Sequence, residues 1–175
     1  MKQHIEPFDY AGEICKAMPG GILLTTKLGH QVNTMTIGWG TLGIEWGKPV
    51  FVAYVRESRY TRELLDKTGE FTVNVPVGEA DKKILGFCGS KSGRDVDKIK
   101  EMGLTLVESD VVSVPGIREL PLTLECRVLF KNCQDENRLP EAIKSRYYSA
   151  INAGDFHYAY YAEIVNAYLI CDDAQ

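Results

Sequence analysis

Apolar and polar positions along this chain alternate mostly with a period of two, in short runs separated by glycine, proline and polar turns. That pattern predicts strands. After the breaking triplet "PGG", "ILLTT" reads as a first strand, "KLGHQ" as a turn and "NTMTIGWG" as the second strand of a hairpin. In the latter, Asn33, Met35, Ile37 and Trp39 share one face, and Thr34, Thr36, Gly38 and Gly40 share the other. The first face can fill a core, whereas the second has no bulk. After "GKP", the run "VFVAYV" is apolar on both faces, which suits the middle of a sheet or a barrel wall. "EFTVNVP" alternates again, with Phe71, Val73 and Val75 inward and Thr72 and Asn74 outward. "LTLVE", "PLTLECRVLFKNC" and the tyrosine-rich "FHYAYYAEIVNAYLI" complete the strand-like segments.

Helical periodicity is confined to short inserts. One covers Glu13 to Met18; a second is "SRYTRELLDKTG", with Ser58 placed to cap its start and Gly69 to stop it. "EADKKILGFCG" and "GRDVDKIKEMG" flank the loop "GSKSG", and "EAIKSRYY" follows the polar loop "QDENRLP". No internal repeat or dividing linker interrupts residues 1–175, so a single domain is expected. Roughly five to seven strands with helices between them predict a mainly β fold, a closed or nearly closed antiparallel barrel with short peripheral helices.

Composition narrows the function. With 45% apolar residues, 25% charged residues and a net charge of -4, the chain has the makings of a packed globule. Its mixed signs argue against a basic face for nucleic acid. The N-terminal segment lacks a basic region followed by an apolar core, and no run reaches the ~18 apolar residues that span a bilayer. A soluble, cytoplasmic protein is expected. None of the 5 cysteines forms a CxxC pair, and Cys126 and Cys133 have no histidine at zinc spacing. Reduced, mostly buried thiols are expected, and with His4, His30 and His157 far apart no metal site is expected.

Candidate chemistry gathers in three places. In "VRESRYTREL" a strand gives way to a helix, whose first amides are unpaired and carry the positive end of the helix dipole. Ser58 and Thr61 hydroxyls with Arg56, Arg59 and Arg62 would make an anion cradle there; an ordinary capped helix with solvated arginines is the plain alternative. Thr34 to Gly40 would let a planar ring lie against the backbone, with Trp39 or Trp46 to stack on it, although a strand packed on a helix or a second subunit also fits. In "FCGSKSGRDVDK", Ser92 and Asp95 fit a capping box, while Ser90, Lys91, Ser92 and Arg94 offer donors to an anion. Cys88 has no base beside it in sequence and reads as a packed thiol. His157 falls on the face of Tyr161 and Glu163, where it would touch a substrate or nicotinamide or serve a structural bond; a buried Glu163 would need a partner.

As an ordered set, "NTMTIGWGTLGIEWGKPVFVAYVRESRYT", "FTVNVP", "CGSKSGRDVDK" and "HYAYYAEIVNAYLI" resemble the flavin reductase-like FMN-binding proteins of the split β-barrel class, the flavoredoxins in particular. The resemblance implies noncovalent FMN near the interface of a homodimer. It implies that Thr34, Met35 and Thr36 line the isoalloxazine ring, with Cys88 and His157 beside it. Arg56, Ser58, Arg59 and Thr61 would hold the phosphate, with Ser90 and Lys91 closing over it. The implied activity passes reducing equivalents from NAD(P)H or a protein donor through FMN to a flavin, ferric iron or protein acceptor. The alternative is a nonenzymatic electron carrier between proteins. The absence of GxGxxG fits either, as does the absence of a catalytic triad, because the flavin carries the chemistry. A binding module for another phosphorylated ligand such as pyridoxal phosphate, or for haem, ranks last, since no lysine is placed for a Schiff base.

Overall fold

Strand pairing here is antiparallel throughout, with tight turns in two hairpins and longer, helix-bearing connections between the other paired strands of the main sheet. The computed structural model describes residues 1–171, so the last positions of the expected domain lie outside the described residues. β1 (Lys2–His4) and α1 (Ala11–Ala17) precede the hairpin of β2 (Ile22–Leu28) and β3 (Gln31–Ile37). β4 (Gly40–Glu45) and β5 (Lys48–Arg56) form a second hairpin, followed by α2 (Tyr60–Thr68), β6 (Glu70–Val75), α3 (Lys82–Ser90) and α4 (Lys98–Glu101). The short strands β7 (Leu106–Val107) and β8 (Gly116–Ile117) pair with each other, and β9 (Leu122–Cys133), α5 (Glu141–Tyr147) and β10 (His157–Ile170) complete the chain.

The main sheet runs β3-β2-β6-β9-β10-β5-β4, with β1 added beside β10. It curls around one apolar core that takes Met35 and Ile37 from one edge strand and Leu42 from the other, so the barrel is split between β3 and β4. Bulges in the β9–β10 pairing help it curl. Antiparallel pairing of β10 with β5 sets His157 opposite Arg56. Among the described residues, no helix is long and apolar enough to cross a membrane.

Several local expectations are corrected. The "NTMTIGWG" strand ends at Ile37; Gly38 and Trp39 form a break, and Gly40 opens β4, which the alternation did not predict. β4 turns into β5 through Trp46 and Gly47, both with positive φ (52° and 70°), as a two-residue hairpin turn requires. Trp46 therefore sits at an exposed tip, away from any ring site. Thr72 and Asn74 point out of the barrel yet are fully buried, because the segment carrying Pro115 lies over them: Thr72 Oγ1 donates to Pro115 O (2.8 Å) and Asn74 Nδ2 to Thr123 Oγ1 (3.1 Å). Ser92 accepts from the Arg94 amide within a turn, and the cap of α4 is Asp97 instead. "LTLVE" contributes only the short β7. The cysteines are free, but only Cys88 and Cys126 are buried; Cys15 and Cys133 are exposed.

One buried carboxylate anchors the outer loop. Glu125, in β9, is fully buried and accepts from the amides of Asp110, Val111 and Val112 and from Asn166 Nδ2, at 2.7–2.9 Å. An anion that receives this many donors holds the loop to the sheet. Its removal leaves the buried Val112 amide unpaired, at a cost on the order of 1–3 kcal/mol, and takes the acceptor from the part-buried amides of Asp110 and Val111. Glu125→Ala is expected to lower unfolding free energy by about 3 kcal/mol, read as a lower urea midpoint at unchanged slope.

Candidate functional site

The end of β3, the end of β5, the start of α2 and the start of β10 meet at the split in the barrel. A cavity of about 170 Å³ there is lined by Met35 to Trp39, Tyr54, Arg56, Arg59 and His157. A second, of about 110 Å³, is lined by Met35, Ser58 to Thr61, Lys91 to Arg94 and Lys98. Met35 and Arg59 border both, so the two are halves of one cleft.

One wall is the outer edge of β3, which pairs only with β2. Asn33 O is met from the β2 side by Thr26 Oγ1 (3.5 Å), and Thr34 O is met from outside by Lys98 Nζ (2.8 Å). Backbone alternation then puts the N–H of Thr34 and both polar groups of Thr36 on the outer edge, without a strand partner. The bulk-free side-chain face of β3 has another use. Thr34 is fully buried and its Oγ1 is met by Thr25 Oγ1 (3.0 Å) and donates to Leu24 O (3.3 Å). Thr36 Oγ1 donates to Leu85 O (2.7 Å), and a Cβ on Gly89 would lie 3.3 Å from its Cβ. That face thus receives α3, and the part of β3 left open to the cleft is its backbone edge.

At the α2 end the site is cationic and uncapped. Arg59 holds the N-cap position with extended backbone (φ -71°, ψ 131°), and no side chain caps the helix. Ser58 lies one residue too early: its N–H and Oγ–H donate to the two Asp155 carboxylate oxygens (2.9 and 2.8 Å). Thr61 is buried in the cleft wall, its Oγ1 accepting from Asn33 Nδ2 (2.8 Å). Only glycine fits at 93, where a Cβ would lie 2.0 Å from Asn33 Oδ1. Arg59 donates from Nη1 to Gly89 O (3.2 Å), and Arg94 pairs with Glu63.

At the other end the walls are aromatic and neutral. Trp39, 38% exposed, stands at the mouth with its ring 4.7 Å from that of His157 at 40°. Tyr148 donates its O–H to Gln134 Oε1 (2.6 Å), so its contact with His157 Nδ1 (2.7 Å) has Nδ1–H as donor. His157 is held as the Nδ1–H tautomer, and Nε2 has no protein partner among the described residues. Burial, then the Arg56 cation, push its pKa down to about 4; Asp155 opposes and Arg59 adds to the depression. The ring presents a neutral acceptor to the cleft.

The flavin reductase like domain profile matches residues 16–174 of the chain. The chain belongs to this family. Its sequence is 38% identical over 100 residues to an uncharacterized protein of Archaeoglobus fulgidus, covering 57% of this chain and 55% of that one. It is 35% identical over 114 residues to YddH of Escherichia coli, covering 63% and 59%. The matches thus span little more than half of these curated relatives. Among solved structures it is similar to flavoredoxin from Methanosarcina acetivorans (TM-score 0.63, 27% identity, 86% of this chain and 68% of that one). An FMN-binding domain of a flavin reductase-like enzyme from Shewanella baltica shares the fold (TM-score 0.64, 16% identity, 97% and 77%). The fold is accordingly the FMN-binding split barrel.

In this flavin reductase-like chain the cleft gathers Met35, Thr36, Trp39, Arg59, Thr61, Lys91 and His157, with Ser58 on its wall. Arg56 belongs to the aromatic end, not the cationic one: it donates to Asp155 O (2.8 Å) and Tyr147 O (3.1 Å) and ties down the segment after α5. Ser90 is turned back on α3, donating to Gly86 O (2.8 Å). Cys88 packs with Leu23, Ile84, Leu85 and Ile117 behind β3, and burial pushes its thiol pKa up while Lys98 opposes. Thr34 faces a buried threonine cluster. Tyr54, Tyr148, Gln134 and Lys98 also border the site without any local signal in sequence; there Lys98 looks no different from the exposed Lys100.

The depressed pKa of His157 has a stability consequence. Between about pH 6.5 and about pH 4 the unfolded chain binds a proton that the folded one refuses, so stability falls with pH in that window. At about 1.4 kcal/mol per pKa unit, the loss is about 2 kcal/mol by pH ~5. His157→Gln is expected to remove that part of the decline, measured by urea unfolding at neutral and mildly acidic pH. An equal decline in both proteins would assign the acid sensitivity elsewhere.

Proposed function

We propose that this chain holds FMN noncovalently in the split-barrel cleft and passes reducing equivalents from NAD(P)H or a protein donor to an acceptor, in the cytoplasm. The observation that carries the reading is the continuity of the cleft through Met35 and Arg59, cationic at one end and flat and aromatic at the other. The donor set fits the cofactor. Arg59, the uncapped amides of α2, Thr61 and Lys91 suit the phosphate. Met35, the edge of β3 at Thr36, Trp39 and the His157 acceptor suit the ring, whose rim carries both donors and acceptors. Bound FMN supplies the redox chemistry, and the protein supplies position and access. His157 stays neutral and accepts a hydrogen bond; Arg56 fixes the wall behind it. A cavity of about 400 Å³ adjoins this end through Gly38, Trp39 and Tyr54, leaving room for a reaction partner.

The reading includes a homodimer. On the outer side of β5 and β10, Val50, Val52 and Ala159 are buried under Tyr54 and Tyr161, and beside them Leu129 and Phe130 of β9 are left exposed, Phe130 against the Tyr161 ring. A patch of this kind, beside the cleft, suits a second copy of the chain. Phe130→Glu is expected to shift sedimentation from dimer towards monomer.

A second reading, a carrier that takes electrons only from proteins, is favoured by the half-exposed Trp39 at the mouth. Anaerobic mixing with NADH and NADPH separates the two: prompt bleaching of flavin absorbance supports the oxidoreductase, and bleaching only by a reduced protein donor supports the carrier. A purified protein that takes up no FMN at micromolar concentration would refute both. Arg59→Ala is expected to weaken FMN binding by about tenfold to a hundredfold, the worth of a charged hydrogen bond, with riboflavin binding little changed. Equal losses would put the phosphate elsewhere.

A further inference from the structure

The small cavity at the start of α2 collects positive charge that the described residues do not fully neutralise. Arg59, Lys91, Arg94 and Lys98 all line it. Arg94 has Glu63, but Lys98 has no carboxylate partner among the described residues. It is only 5% exposed, and its Nζ donates to two backbone carbonyls, Thr34 O (2.8 Å) and Cys88 O (2.9 Å). An ammonium carries three donors, so one remains for the cavity that Lys98 lines. Carbonyl dipoles only partly offset the cost of burying a full charge.

The charged and titratable groups around Lys98 come from every neighbouring element. Arg59 faces it from the N-cap of α2, and Cys88 from the end of α3. Lys91, Arg94, Asp95 and Asp97 belong to the loop that leads into α4, and His30 stands on the β2–β3 turn across a neighbouring cavity. Asp97 is committed to the Lys100 amide (3.1 Å). Burial, with the Arg59 cation adding to it, brings the Lys98 pKa down to about 8, against the opposing influence of Cys88.

Resting on the FMN reading above, we propose that Lys98 is a phosphate-binding residue and that its protonation and the binding of the phosphate are one linked step. A dianion beside the ammonium stabilises its charged form, so Lys98 holds its proton more tightly in the complex than in the free protein. Below about pH 8 the lysine is charged in both states and affinity is flat. Above it, the free protein loses a proton that the complex keeps, and FMN affinity falls by about tenfold per pH unit. Riboflavin, which has no phosphate, lacks this dependence.

Titration calorimetry in buffers of different ionisation enthalpy reads the linkage directly, without any turnover. With the wild-type chain, FMN is expected to take up about half a proton at pH ~8 and close to one at pH ~9, and riboflavin none. Lys98→Arg, charged across this range, is expected to bind FMN with no proton uptake. Lys98→Met is expected to bind FMN at least about tenfold more weakly, also without uptake. Wild-type FMN binding without proton uptake at pH ~8 to 9 overturns the proposal, as does uptake that persists in Lys98→Arg. The wild-type measurement stands even if a variant fails to fold. A protein that binds no flavin at any pH defeats the FMN reading itself, a different outcome from flavin bound without a proton.

Discussion

Strand β3 has a neighbour on one side only, and an edge strand must find other partners for the row of N–H and C=O groups it exposes. Here the row is divided. Lys98 reaches in to take Thr34 O, which closes the edge at the cationic end and pins β3 to the end of α3 through Cys88 O. The groups further along, at Thr36, are left facing the cleft beside Trp39 and His157. A barrel closed by pairing β3 with β4 would satisfy all of these groups and leave no cleft. The split gives up that pairing, and a ligand-sized opening with backbone donors and acceptors on its rim takes its place.

The two ends of the opening are electrically different for separate reasons. At the start of α2 the charge is positive because the helix is uncapped and because Arg59 and Lys98 share a cavity without a carboxylate of their own. Glu63 is taken by Arg94, and Asp155 is occupied by Ser58. At the aromatic end two arginines are also near, yet their effect is to keep His157 neutral, and Arg56 is spoken for by backbone carbonyls. A ligand with one anionic and one uncharged flat end has a single favourable orientation in such a cleft. Orientation matters for a redox cofactor because it decides which ring edge meets the protein and which stays open to the partner.

Period-two alternation carried most of the fold in sequence, since inward positions such as Phe71, Val73 and Val75 fill the core as their spacing requires. It failed where tertiary cover overrides the pattern. Thr72 and Asn74 alternate like solvent-facing residues but lie beneath the segment around Pro115, which no local signal marks. β4 was missed because Gly40 and Gly43 dilute its apolar positions, and its turn relies on Trp46 adopting a positive φ that sequence would assign to asparagine or glycine. In the site, residue types were legible and their assignments less so. "RESR" announces cations at a helix start, but which arginine faces the cavity depends on Asp155 and Tyr147, roughly ninety or more positions away. Lys91, in an obvious basic loop, was easy to see; Lys98 was hidden because its burial is a property of the packing of α3 and α4 against β3.

Stability and function pull against each other at Lys98. The same ammonium that satisfies an edge carbonyl also raises the electrostatic cost of the empty cavity, with Arg59 beside it. A methionine there would relieve the repulsion but leave Thr34 O and Cys88 O without their donor, so the position is not freely replaceable even without any ligand. An arginine keeps the charge but spreads it over a plane too wide to meet both carbonyls in the same way. Lysine is thus the side chain that stitches the split edge and still leaves one donor for an anion. Any anion that settles there stabilises the folded chain in proportion to its occupancy, because the unfolded chain has no such cavity.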